Sequence, residues 1–321
     1  MPRSCLFAVA GLLLGAASVA FAQPPSPPPV GGWTAKTPMP MARNEVALAA
    51  VGGKVYVIGG AVQGIALPNV DEYDPATDRW RSVAPMPKGL DHIGVAVAGG
   101  KIVTVGGFIG SVHRGAVDGV YEYDPVANTW RTLATLKVPR GSVGATVLDG
   151  KIHAIGGRGI DNTFTVDTHE VYDPATGKWS DLAPLPKARD HLAVVAADGK
   201  IHAVGGRFTT SADRTGQHDI YDPKTNSWSP GPPLPTVRSG LAYALYQGMI
   251  VVLGGELPPN TFVEHEAYDP KLSRWRTLAP MPDGRHATGA AVIGRNLYLA
   301  AGSLKPGAGQ VTDQMIVFTM P

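Results

Sequence analysis

The chain has 321 residues, of which 44% are hydrophobic and 17% charged, and its formal net charge is +2. That balance excludes an intrinsically disordered chain, and it offers no electrostatic case for nucleic acid or an anionic membrane as partner. The length admits one large domain or two ordinary ones.

Residues 1–22 read as a secretory signal peptide. Arg3 supplies the positive start, LFAVAGLLLGAASVA the short apolar run, and Ala20-Phe21-Ala22 the small-x-small cleavage pattern. The run is too short for an ordinary membrane span, so no span is expected after cleavage. The only cysteine, Cys5, leaves with it, so the mature chain is expected to carry neither disulfide nor thiol chemistry. Residues 23–32, QPPSPPPVGG, read as a stiff Pro-rich spacer. The expected location is periplasmic or secreted.

From residue 33 onward the chain repeats. Gly-Gly doublets begin at Gly59, Gly106, Gly156, Gly205 and Gly254, with Ala301-Gly302 a degraded sixth. Tyr-Asp-Pro begins at Tyr73, Tyr123, Tyr172, Tyr221 and Tyr268, with Phe318 in the sixth place, and a Trp follows each tyrosine by seven residues. Each unit of 47 to 50 residues holds four strand-like pieces. In residues 189–229, RDHLAVVAA and KIHAVGG flank the tight turn Asp198-Gly199, HDIY forms a third strand, and Trp228 lies on a fourth after the turn at Asp222-Pro223. No window sustains a helical period, so the chain is all-β.

Four antiparallel strands per unit and six units bury their faces when arranged radially, as a six-bladed β-propeller spanning residues 33–321. Small residues in the first strand of each unit suit the crowded axis. Trp33, which precedes every repeat, then supplies the fourth strand of the last blade and closes the ring.

The doublet, the Tyr-Asp-Pro and the spaced Trp resemble kelch repeats across residues 33–321. The resemblance implies the propeller but no single activity, because such propellers host many functions. Some kelch propellers are copper radical oxidases whose cofactor needs a cysteine, which the mature chain would lack.

Two intervals never vary: ten residues from each Trp to the start of the next first strand, and sixteen from there to the doublet. Only the loop from doublet to Tyr-Asp-Pro varies, and function concentrates on variable loops held by a rigid scaffold. Antiparallel order puts that loop and the start of the first strand at one mouth of the channel. Arg43, Arg140, Arg189, Arg238 and Arg285 stand at the first-strand starts, with Leu90 the exception. Arg158 and Arg207 follow doublets, as does Glu256. Seven arginines at one mouth predict binding of a carboxylate, phosphate or sulfate, although a recurring arginine equally serves to bridge neighbouring backbone. His92 and His191 lie two residues after the strand-start position, where packed histidines are equally at home.

No serine sits in a nucleophile-elbow setting, and no spacing along the chain marks a metal site, so neither metal nor cofactor is expected. Two functional expectations follow. The first is an exported binding protein, monomeric, that holds an acidic small molecule or glycan, or an extracytoplasmic protein, at its arginine-lined mouth. The second is an enzyme resembling the periplasmic kelch mutarotases that interconvert sialic acid anomers, with Arg207 or Arg189 holding the carboxylate and Glu256 or His191 moving the proton.

Overall fold

The computed structural model describes residues 1, 30–110, 113–159 and 165–321. The expected signal peptide, apart from Met1, and residues 23–29 of the expected spacer lie outside them. Among the described residues, six four-stranded antiparallel sheets form the propeller. Blade 1 runs outward from Ala47–Val51 through Lys54–Ile58 and Val70–Asp74 to Arg79–Ser82. The innermost strands of blades 2 to 6 are Gly94–Ala98, Gly144–Leu148, Ala193–Ala197, Ala242–Tyr246 and Gly289–Ile293. No helix of the described residues is long and apolar enough to cross a membrane.

Blade 6 takes its outermost strand from the other end of the chain. Gly32–Lys36 pairs with Met315–Thr319, with Trp33 opposite Phe318. Val30 bridges Leu278, so the ring draws in the last residues of the stretch read as spacer.

The repeated residues hold blade to blade. Asp149-Gly150 and Asp198-Gly199 have φ of 50° and 74°, and 50° and 72°, the paired left-handed conformation of a two-residue hairpin. At the axis the innermost strands pack on one another: a Cβ on Gly144 would stand 2.1 Å from Val194 of the next blade. The second residue of every doublet donates its N–H to the carbonyl at the next blade's strand-start position, from Gly60 to Leu90 O (2.9 Å) through Gly302 to Arg43 O (2.9 Å). All six tryptophans donate Nε1–H to a carbonyl of the preceding blade, as Trp228 does to Ala183 (2.8 Å). Between blades lie apolar clusters such as Tyr73, Tyr298, Val55 and Val57.

Candidate functional site

The five arginines at the strand starts do not line the mouth. Arg43, Arg140, Arg189 and Arg238 are 0% exposed and Arg285 is 1% exposed. Each turns inward along its own blade. Arg43 donates Nε–H to Gly59 O and Nη2–H to Val57 O, both at 2.9 Å, and Nη1–H to Asp71 Oδ2 at 2.6 Å. Arg140 repeats this with Gly156, Ala154 and Glu170, and Arg238 with Gly254, Val252 and Glu266. Arg189 pairs with Asp219 at 2.6 Å. Arg285 has no carboxylate opposite and uses Gln314 instead, and burial pushes it down to about 10. In blade 2, Leu90 stands where the arginine would be and Tyr121 where the acid would be, both within one apolar cluster. These five positions fasten the second and third strands together and leave no donor face for a ligand.

The mouth is built from the next two positions. Glu45, His92, Ser142, His191, Gly240 and Ala287 have φ of 54°, 50°, 50°, 53°, 69° and 56°. They join in a belt around the axis: Glu45 N–H donates to Ala287 O, His92 to Glu45, Ser142 to His92, His191 to Ser142 and Gly240 to His191, at 2.7 to 3.4 Å. Left-handed backbone is costly for residues with a Cβ, and four of these six are larger than alanine, so strain gathers in one ring. Glu45, His92, His191 and Gly240 border both the chamber above the belt and the channel below it, where Val46, Ile93, Val143 and Tyr243 continue the wall.

Above the belt, the residue one before each belt position bridges the residue after a doublet. The pairs are Asn44–Ala61, Asp91–Phe108, Gly141–Arg158, Asp190–Arg207, Ser239–Glu256 and His286–Ser303. The sequence-predicted Arg207, Glu256 and His191 therefore meet around one chamber of about 610 Å³, counted to its open mouth.

Asp190 organises one side. Its Oδ2 accepts from Arg158 Nε (2.8 Å), while Oδ1 accepts from Arg207 Nε (2.9 Å) and from His191 Nδ1. Burial opposes the ionisation of Asp190, but the hydrogen bond from His191 and the charges of Arg207 and Arg158 outweigh it and hold the carboxyl below its ordinary range. Burial, reinforced by the Arg207 charge, pushes His191 down to about 4. His191 is thus a neutral imidazole with Nδ1–H given to a carboxylate and an Nε2 lone pair facing the chamber. Arg207 donates Nη2–H to that lone pair (3.1 Å) and to His113 Nε2 (3.3 Å). Arg158 also donates to Thr209 O.

Glu256 faces Arg207 Nη1 and His286 Nδ1, each at 3.6 Å, and accepts the Gly307 N–H at 2.9 Å. It begins the small hairpin Glu256–Leu257 and Asn260–Thr261. On the opposite side, His92 Nδ1 meets Asp91 Oδ1 at 2.7 Å and His92 Nε2 lies 2.9 Å from Glu45 Oε2. Burial disfavours a charged His92, but Glu45 and the bond to Asp91 prevail and raise it to about 10.

Spacing along the chain marked no metal site, yet the fold assembles a histidine cluster. One ring nitrogen from each of His92, His113 and His191 lies within 4.8 Å of the others. His113 sits in the variable loop of blade 2 and belongs to no repeat, and its only signal in the sequence is the length of that loop. Phe108 walls the cluster at 5.6 Å from His92 and 5.5 Å from His113 between ring centroids. Glu45, Asp91 and Asp190 complete the set that the expected site residues left out.

Fold and motifs together define a six-bladed propeller of the kelch class. The model described as the KLHDC2/KLHL20/DRC7 Kelch-repeats domain matches residues 31–185, and the Kelch motif matches residues 188–235. The chain belongs to the kelch-repeat family. Among solved structures, the one titled "Structure of YjhT" is similar with a TM-score of 0.73 and 18% identity, over 86% of this chain and 95% of that one. That likeness shows the fold. No curated protein matches the chain in sequence.

Proposed function

We propose that the protein binds an acidic carbohydrate in the chamber above the belt, with Arg207 holding the carboxylate, and that it does so outside the cytoplasm, as the leader-like residues 1–22 imply. The supporting observation is that Asp190 anchors Arg207 through Nε alone. Nη2 is engaged by His191 and His113, and Nη1, 3.6 Å from Glu256, is the donor beside the chamber that a ligand carboxylate meets. Arg158 supports the same carboxylate hub.

Thermal shift with N-acetylneuraminic, glucuronic and galacturonic acids against glucose and N-acetylglucosamine tests this reading. A ligand at about a hundred times its dissociation constant adds about 2.7 kcal/mol of stability. A shift with acidic sugars alone, lost in Arg207→Ala, supports it. Equal shifts with neutral sugars, or none with any, refute it, and the second result favours a protein partner over the same loops.

A second reading rests on the Asp190–His191 pair. A neutral imidazole oriented by a carboxylate, with Glu256 across the chamber, supplies both proton acceptor and proton carrier for anomer exchange of the bound sugar. On this reading His191→Gln and Glu256→Gln each retain binding and slow the exchange, which NMR follows directly.

A further inference from the structure

We infer that His92, His113 and His191 form a binding site for a divalent first-row transition ion of the zinc type, set at the floor of the chamber. Four observations carry this, and all concern the protein's own side chains.

The spacing fits. His113 Nε2 and His191 Nε2 are 3.3 Å apart. Two imidazole nitrogens about 2.0–2.1 Å from one tetrahedral zinc stand about 3.3–3.4 Å from each other. The third histidine brings a nitrogen within 4.8 Å of both.

The orientation fits. His191 and His92 each give Nδ1 to a buried aspartate, Asp190 and Asp91. Such carboxylate partners hold the ring in place, and in His191 they leave the Nε2 lone pair facing the chamber. His92 Nε2 is buried against Glu45 Oε2 at 2.9 Å, a contact that an ion at this position replaces.

Third, Arg207 Nη2 touches both His113 Nε2 and His191 Nε2. Both are therefore acceptors, and a positively charged donor already stands between them. A metal replaces that contact while Arg207 stays tethered to Asp190 through Nε.

Fourth, the charge fits. Asp91, Asp190, Glu45 and Glu256 face the guanidinium groups of Arg158 and Arg207. The four carboxylates outnumber the two guanidinium groups, which favours a cation between them. Imidazole ligands select zinc, copper, nickel or iron over magnesium and calcium. Three histidines leave a fourth position open, the pattern of sites that bind water or substrate and not of closed structural sites. A dication there also offsets the carboxylates that would repel an acidic sugar, but the inference does not depend on that sugar.

The test uses the metal alone. Purified protein freed of metal with a chelator is titrated with zinc by calorimetry and with cobalt(II) by absorption. One ion per chain, with the intense visible bands of tetrahedral cobalt, is expected. Asp91→Asn weakens binding by about 10–100-fold, the usual effect of losing an outer-shell partner. His113→Ala, a substitution outside the strands of the blade, abolishes the cobalt bands, and Arg207→Ala retains them. Retention of full-affinity binding in His113→Ala overturns the site, as does absence of saturable binding in the unaltered protein. Loss of metal binding in Arg207→Ala overturns the assignment of that residue as a displaced donor. Acidic-sugar binding is read separately, so either conclusion survives the failure of the other.

Discussion

Trp33 donates its indole N–H to the carbonyl of Ala279, 246 residues away, at 3.1 Å. This joins the outermost strand of blade 6, drawn from the N-terminal end, to the blade before it. Trp33 also stacks against Phe318 at 5.1 Å and His265 at 5.6 Å between ring centroids. Trp33→Ala removes a half-buried ring and an inter-blade bond, at a cost below the about 3–5 kcal/mol of a fully buried Trp. Urea unfolding should show that loss. A variant within about 0.5 kcal/mol of the parent would mean that the other contacts of blade 6 close the ring unaided.

Leu90 and Tyr121 in blade 2 show how a blade does without its arginine and acid. Arg43→Leu alone leaves Asp71 buried and uncompensated, at a cost of about 3–5 kcal/mol. Arg43→Leu with Asp71→Tyr copies the blade 2 solution and should recover most of that loss. If the double variant is as unstable as the single one, the exchange depends on more of blade 2 than these two residues.

Those pairs also explain how far the sequence was legible. The repeat was readable because turns, doublets and tryptophans mark each blade at fixed intervals. The direction of an arginine side chain was not. Its clue lay 28 to 30 residues on, in Asp71, Glu170, Asp219 and Glu266, which are acidic in four of the five blades that carry the arginine and replaced by Tyr121 where it is missing. Arg207, Glu256 and His191 were visible because they depart from the repeat. His113 has no register to depart from, and its cluster with His92 and His191 joins blades 2 and 4, a relation that no local spacing expresses.

The belt of left-handed residues makes a prediction about strain. Ala287 has φ of 56°, and its side chain is a bare methyl. Left-handed backbone costs an L-residue about 1–2 kcal/mol, while glycine costs about 0.4–1 kcal/mol in unfolded-state entropy. Ala287→Gly should therefore stabilise slightly. Gly240→Ala should destabilise, although its new Cβ meets nothing nearer than 3.8 Å. Differential scanning calorimetry checks both signs, and the same sign for both would show that packing, not φ, governs the belt.

Buried histidines between blades set the acid limit of stability. Burial pushes His153 down to about 4, and His169, His202 and His265 down to about 3, from an ordinary 6.5. Each hydrogen-bonds as a neutral ring, with His153 Nδ1 and His169 Nε2 2.9 Å apart and His265 Nδ1 3.3 Å from Ala279 O. Their folded values lie below the unfolded one, so between about pH 6.5 and pH 4 the unfolded chain binds more protons. Stability is then fully present above 6.5 and lost as pH falls toward the folded values. Each such histidine contributes roughly 1 kcal/mol per pH unit in that window. The unfolding free energy should fall steeply from pH 6 to 4. His265→Gln, whatever its effect at pH 7, should make that fall shallower by one histidine's share. An unchanged slope would mean that His265 stays protonated in the folded chain.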